Sequence, residues 1–225
     1  MRKHITKLLL GKAPLKDQRS VDVIGSHLSK IQRVWNSEDY EDYGLERIFR
    51  LILITSKLLF LGLYFEHLTG KISRANKRLF SEFYVVFKAI LPYIILSNNL
   101  AQNPVLQFLN IYFLLETFVF IFNRIFVSEH FLPEGYRRSL LLLFFSFAEV
   151  VLAFAVIYSS GNYLNQPVDN YIDAIYFSMM TSATIGYGDI HPINETGKLI
   201  AMSQALTSLA FIILFFNFFN SKIQD

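Results

Sequence analysis

The chain has 225 residues, of which 53% are apolar and 16% aromatic, with a formal net charge of +3 and no cysteine. The lack of cysteine excludes disulfides and thiolate metal sites, and the small net charge argues against a nucleic-acid partner. A composition this apolar, divided into long runs, is typical of a polytopic membrane protein rather than of one soluble core.

The first segment, residues 1–43, is polar and carries eight Lys or Arg residues. Because basic segments stay preferentially on the cytoplasmic side of a membrane, we expect this segment to be cytoplasmic. Apolar residues recur at helical spacing from Val21 to Val34, and such a stripe favours a helix that lies on lipid headgroups or on a neighbouring subunit. A solvated helix followed by the acidic loop 38–42 explains the pattern equally well.

Residues 44–66 are predicted to form one amphipathic helix. Their uninterrupted apolar part, Leu51 to Phe65, is short for a membrane span, and Arg47, Arg50 and Lys57 recur at helical spacing on one face. This pattern favours a helix in the cytoplasmic interface of the membrane, and the basic loop that follows is expected on the same side. A transmembrane helix is the alternative.

Residues 79–127 are predicted to form a transmembrane helical hairpin that turns at Asn98 to Pro104. No Lys or Arg lies between Lys88 and Arg124, so the turn is expected on the outer side. An ion pair between Lys88 and Glu116, which would lie at similar depth, is one hypothesis; the alternative is that each side chain snorkels or faces a water pocket. Because the second helix lacks regularly spaced basic residues, steep voltage gating is not expected.

Two apolar runs of about 20 residues, 139–159 and 197–219, are each long enough to span a bilayer. Between them, the run 173–183 is about half that length, so a helix formed by it must enter the membrane and turn back. The return segment is Thr184-Ile185-Gly186-Tyr187-Gly188, followed by Asp189. Non-helical backbone is tolerated at membrane depth only where it is buried in protein or lines a water-filled path.

Two alternating glycines give this return segment its chemistry. Gly186 and Gly188 lack a Cβ and can adopt dihedral angles forbidden to other residues, so successive carbonyls can point to one side. Four such rows around an axis form stacked oxygen cages that replace the water shell of a monovalent cation.

The segment 184–189 resembles the selectivity filter of tetrameric potassium channels, whose consensus is Thr-Val/Ile-Gly-Tyr-Gly followed by Asp. The resemblance covers residues 139–220 and implies an all-α, polytopic pore-loop ion-channel fold that assembles as a homotetramer. It implies an outer helix at 139–159, a pore helix at 173–183, a filter at 184–188 and an inner helix at 197–219. Potassium ions would bind at Thr184, Ile185, Gly186 and Tyr187, and no cofactor is expected.

Several residues are expected to support the filter. Asp173 is expected to cap the pore helix, because a carboxylate accepts hydrogen bonds from the free amides of the first turn. The resemblance places an aromatic pair, Tyr176 and Phe177, around the filter residue Tyr187, which would then point away from the pore. Asp189 is expected to bond to donors on the pore helix or on the backbone.

The inner helix carries the candidate gate. The hinge glycine of the family falls at Ser208, and helical spacing places Leu209, Ile212, Phe216 and Asn220 on the stripe that would face the pore. A ring of four Phe216 side chains could close the path by dewetting. The alternative is that these aromatic residues face lipid and neighbouring helices.

The sequence therefore predicts a potassium-selective channel that conducts K⁺ passively, in the cell membrane, as a multi-pass protein with a cytoplasmic N-terminus. Its expected partners are identical subunits, the lipid bilayer and K⁺, with no nucleic acid. The alternatives are a weakly selective cation channel and a non-conducting, channel-like regulatory subunit. The sequence contains no nucleotide-binding glycine loop, HExxH or GxSxG motif, so an enzyme is not expected.

Overall fold

The computed structural model describes residues 20–36, 44–127, 136–168 and 170–223. Within these ranges the named elements are all helices. The chain divides into two compact units, Met1–Tyr84 and Val85–Asp225. The predictions made for residues 1–19 and for the acidic loop 38–42 lie outside the described residues.

The first unit is built around a short amphipathic helix, α1 (Val23–Asn36). It packs against α2 (Gly44–Ser56) and α3 (Leu61–Ile72) of the same unit. Val34, one position of the predicted stripe, is buried with 2% of its surface exposed, whereas Leu28 of the same stripe is 50% exposed. Helices of the same chain therefore cover the stripe only in part, and its contact with lipid headgroups or with a neighbouring subunit stays a prediction.

The segment 44–66 is not one continuous helix, which corrects the prediction. Helix α2 passes into a short 3₁₀ turn, Lys57–Leu59, and the pair Gly44–Leu59 and Leu61–Ile72 is bent by 68°. Just before the break, the hydroxyls of Thr55 and Ser56 bond back to carbonyls of the preceding turn. Phe60 is then extended, with φ −103° and ψ 135°. By length and composition, the bent pair can still pass as one broken membrane span.

The predicted hairpin corresponds to α4 (Arg74–Ser97) and α5 (Pro104–Phe126). Helix α4 begins well before residue 79, because the basic residues ahead of the apolar run continue the helix. The turn is closed by Asn103, whose side chain accepts hydrogen bonds from the amides of Val105 and Leu106. Pro104 follows it at the first helical position, where its missing N–H costs nothing.

The second unit continues with α6 (Tyr136–Ser159), α7 (Tyr171–Ser182) and α8 (Glu195–Ile223). Four helices of the described chain, α4, α5, α6 and α8, are long and apolar enough to cross a membrane. Helix α7 has only 12 residues and packs against both α6 and α8. The fold is therefore all-α and multi-pass, with one half-length helix between its last two spans.

Aromatic packing fixes α7 between the two long helices. The rings of Tyr158 on α6 and Phe177 on α7 meet edge to face with centroids 4.8 Å apart. Phe147 on α6 meets Phe211 on α8 in the same way at 5.4 Å. Tyr158 and Phe211 are fully buried, so this cluster forms the core on which the segment after α7 rests.

Candidate functional site

The segment after α7 has an alternating backbone. Thr184, Gly186 and Gly188 have φ angles of 57°, 57° and 81°, whereas Ile185 and Tyr187 are not among the residues with positive φ. In an extended strand successive carbonyls point to opposite sides, and an alternation in the sign of φ is what allows them to point to the same side. The backbone therefore has the conformation that a single row of oxygens requires.

Glycine is required in this segment by dihedral angle rather than by crowding. A Cβ placed on Gly186 or Gly188 would meet no atom within 4 Å, but both residues hold a φ that L side chains rarely adopt. Thr184 adopts the same region although it has a Cβ, at a cost of about 1–2 kcal/mol. The sequence predicts unusual dihedral angles at the two glycines but not at Thr184.

The inner end of the segment is bonded directly to α7. The amide of Thr184 donates to the Thr181 carbonyl at 3.1 Å, and the amide of Ile185 donates to the Met180 carbonyl at 3.0 Å. The C-terminal end of a helix carries a partial negative charge, which favours a cation nearby. The end of α7 therefore both supports the inner oxygens and makes their surroundings attractive to a cation.

The cap of α7 differs from the prediction, because Asn170 and not Asp173 caps the helix. The Asn170 side chain accepts from the amide of Ile172 at 3.1 Å. The helix begins two residues earlier than predicted, and its first residue, Tyr171, packs edge to face on Tyr93 at 6.4 Å. Asp173 lies in the first turn, where its charge still complements the helix dipole.

The two residues of the predicted aromatic pair, Tyr176 and Phe177, contact different partners. The Tyr176 hydroxyl donates to the Asp189 carboxylate at 2.9 Å, and this hydrogen bond lowers the pKa of Asp189 below its usual range. Phe177 instead packs on Tyr158 of α6. Within one chain Tyr187 is 71% exposed, so its ring has an uncovered apolar surface.

The outer end of the segment is held by Asn165, a residue that the sequence analysis missed. Its Nδ2 donates to the Asp189 carbonyl, and its Oδ1 accepts from the His191 amide, both at 3.0 Å. The backbone amide of Asn165 also donates to the His191 carbonyl. His191 reaches back towards the segment, with Nδ1 3.2 Å from the Gly188 carbonyl oxygen. An asparagine in a polar loop carries no local pattern that would reveal this role.

The predicted gate residues do not share one environment. Leu209 and Phe216 are 53% and 66% exposed in the single chain, and Ile212 is half-buried. Ser208, the position of the family's hinge glycine, is fully buried against its own chain, and its assignment to the gate stays a prediction. Helix α8 runs unbroken through Ser208. The side chain of Asn220 lies outside the described part of the structure.

The hairpin is joined to α6 by a buried cluster of charges. Lys88 Nζ lies 3.5 Å from Glu116 Oε2, the pair that the sequence suggested, and 3.4 Å from Glu149 Oε1 on α6. The Thr117 hydroxyl accepts from Lys88 and donates to Glu149. The sequence did not indicate that Glu149 belongs to this cluster. An acidic residue in the middle of a span was the available signal.

Comparison with known proteins gives a match to the second half of the chain. Residues 140–225 match a family model described as "Ion channel". The chain is 38% identical over 93 residues to Two pore potassium channel a of Oryza sativa subsp. japonica, covering 40% of this chain and 24% of that protein.

Two microbial relatives show similar partial matches. Identity to the calcium-gated potassium channel TvoK of Thermoplasma volcanium is 35% over 63 residues, 24% of this chain and 18% of TvoK. Identity to the voltage-gated potassium channel Kch of Escherichia coli is 29% over 122 residues, 53% of this chain and 28% of Kch. The chain thus spans about a quarter or less of the first two relatives. No solved structure matches significantly.

Proposed function

We propose, since residues 140–225 of this chain match the family model described as "Ion channel", that the protein is a potassium-selective channel that conducts K⁺ passively across the cell membrane. One chain supplies one row of carbonyl oxygens, whereas an oxygen cage needs several rows around an axis. The functional unit of the proposal is therefore a homotetramer in which residues 184–188 of four chains face one another.

The observation that carries the proposal is the alternation of φ at Thr184, Gly186 and Gly188. In this proposal the carbonyls of Thr184, Ile185, Gly186 and Tyr187 are the K⁺ ligands, with the Thr184 hydroxyl at the inner end. A threonine held at positive φ is backbone strain of the kind that clusters at ligand-binding sites, and it supports the proposal in that sense. The exposed apolar side chains of Ile185 and Tyr187, 50% and 71%, support the assembly, because neighbouring subunits would cover them.

Charge supports a cation as the transported ion. No Lys or Arg lies between Arg138 and Lys198, and the same stretch contains Glu149, Asp173, Asp189 and Glu195. Because short outward loops lack basic residues, this distribution also supports a cytoplasmic N-terminus. The proposal includes no enzymatic activity and no steep voltage gating, since α5 carries no regular series of basic residues.

The proposed gate is a ring of Phe216 on the inner helix. Phe216 and Leu209 lie on an apolar face of α8 that the single chain leaves exposed. In a tetramer this face would border the ion path below the filter, where a hydrophobic constriction excludes water and therefore ions.

Reversal potentials of the full chain in liposomes test the proposal. With potassium on one side and sodium on the other, a reversal near the potassium equilibrium potential supports it. A reversal near zero identifies a weakly selective cation channel, and a protein that assembles and carries no current identifies a non-conducting subunit. Either of these two results contradicts potassium-selective conduction.

A further inference from the structure

Gln204 is a fully buried polar side chain on the membrane-spanning helix α8. Its exposed fraction is 0%. An amide buried away from water is costly unless its donors and acceptor find partners. The hydrogen-bond partners of Gln204 lie on two other helices, α6 and α7. The amide therefore forms its hydrogen bonds only by linking these two helices to α8.

The amide nitrogen contacts the end of the pore helix α7. Nε2 lies 2.8 Å from each of three acceptors, the Ser178 carbonyl, Ser178 Oγ and Ser182 Oγ, and shares its two hydrogens among them. Ser178 and Ser182 are one turn apart and therefore lie on the same face of α7. Ser182 is the last residue of α7, two positions before Thr184. Gln204 thus holds the terminal turn of the pore helix.

The amide oxygen contacts the outer helix α6. The buried Tyr158 hydroxyl donates to Gln204 Oε1 at 2.8 Å. Ser178 Oγ also reaches α6, since it donates to the Val151 carbonyl at 2.6 Å. One side chain of the inner helix therefore links the outer helix and the pore helix at the level of the inner filter.

The terminal turn of α7 transmits its position to the filter. The carbonyls of Thr181 and Met180 accept the amides of Thr184 and Ile185, so a shift of this turn shifts the innermost oxygen row. Selectivity among alkali cations depends on the size of the oxygen cages and on the field of their carbonyls. Hydrogen bonds fix both distance and direction, which apolar contacts do not.

We infer that Gln204 is a positioning residue for the filter: its amide fixes the end of the pore helix against the inner and outer helices and thereby sets the K⁺/Na⁺ selectivity of the inner oxygen sites. The inference rests on the proposed potassium conduction. It predicts that selectivity changes when the amide is removed, although Gln204 itself touches no ion.

The test is the permeability ratio of K⁺ to Na⁺, obtained from reversal potentials of variants in liposomes. This ratio does not depend on how many channels fold, so a general loss of stability does not move it. Gln204→Leu keeps the size of the side chain and removes its hydrogen bonds. The matched control is Thr207→Val, a buried polar residue of the same helix whose hydroxyl bonds within α8 to the Ser203 carbonyl.

We expect the ratio to fall about tenfold in Gln204→Leu, the effect of about one net hydrogen bond, and to be unchanged in Thr207→Val. Ser182→Ala, which leaves the contacts to Tyr158 and Ser178, is expected to give a smaller fall. An unchanged ratio in Gln204→Leu beside a selective wild type overturns the inference and leaves the proposed function standing.

Two further outcomes are decisive. If Gln204→Leu does not assemble, Ser182→Ala decides in its place, and an unchanged ratio there overturns the inference. A wild-type protein that is silent or unselective overturns the proposed function, and the inference falls with it.

Discussion

The Tyr176 hydroxyl donates a hydrogen bond of 2.9 Å to the Asp189 carboxylate, which joins α7 to the residue that follows the proposed filter, residues 184–188. The donor stabilises the charged form of the carboxylate, so it holds the pKa of Asp189 low. The hydrogen bond that holds the outer end of the proposed filter to α7 therefore depends on the charge of Asp189.

Tyr176→Phe should make the channel more sensitive to external acid. The lowered pKa of Asp189 means that the contact is fully present above the ordinary pKa of an aspartate and is lost as the pH falls through the lowered value. Removing the hydroxyl raises that pKa. Asp189 then loses its charge, and with it the backbone hydrogen bonds that still hold its carboxylate in the variant, at a higher external pH than in the wild type, so the current should decline there. Currents recorded against external pH measure the shift.

The control for this experiment is Tyr171→Phe, on the same helix, whose ring packs on Tyr93. Both variants retain His191, whose Nδ1 lies beside the Gly188 carbonyl, so its contribution is common to both curves. A Tyr176→Phe curve that coincides with the curve of the control contradicts the prediction.

Gly186→Ala should abolish selective potassium current. Alanine at φ 57° is strained by about 1–2 kcal/mol, and relief of that strain turns a carbonyl out of the oxygen row. Gly44→Ala is an unusually close control, because Gly44 has φ 59° and equally open space around its Cβ position, but starts α2. Gly44→Ala should retain the wild-type reversal potential. Equal behaviour of the two variants would show that strain alone, and not the filter, is responsible.

Lys88→Met should destabilise the second unit strongly. Lys88 is 5% and Glu149 1% exposed, and removing the ammonium leaves the Glu149 carboxylate without its cation, at a cost of about 3–5 kcal/mol. Adding Glu149→Gln should recover part of the loss, since the second variant removes the stranded charge. Thermal melting of the detergent-solubilised protein measures both.

Lys198→Met, at an exposed lysine of the same unit, should leave the melting temperature close to that of the wild type. If the double variant melts no higher than Lys88→Met, the two side chains are not coupled, and the cluster is not the link between the hairpin and α6.

Phe216→Ala should increase the leak of the closed channel, because a smaller side chain widens the proposed constriction and admits water. The control is Phe144→Ala on α6, where the same residue type is 64% exposed against 66% for Phe216. Closed-state currents in liposomes compare the two. Equal leak in both variants places Phe216 against lipid or neighbouring helices instead.

The sequence was sufficient to predict features that depend on local patterns. The apolar runs of α6 and α8 and the half-length helix between them follow from length and hydropathy, and the glycines mark the backbone of the filter. The cap was misplaced because Asn170 and Asp173 are equally good capping residues, and the sequence does not show that the helix already begins at Tyr171.

Contacts between distant parts of the chain could not be predicted from local sequence patterns. Gln204 and Asn165 act through partners many residues away, and an isolated amide in a helix or loop carries no periodic signal. The bend at Phe60 was missed because no proline marks it. The hydroxyls of the preceding turn do not mark it either, since similar hydroxyls bond back to the backbone within the unbroken α8.

The proposed filter is held at its outer end by solvent-exposed hydrogen bonds and at its inner end by buried ones. Water can exchange with the exposed contacts of Asn165 at the outer rim, whereas it cannot reach the amide of Gln204 beneath the inner end. When ions leave the proposed filter, its backbone should lose its conformation first at Gly188 and only later at Thr184. A low external potassium concentration should therefore disorder the outer end of the filter while the inner end keeps its structure.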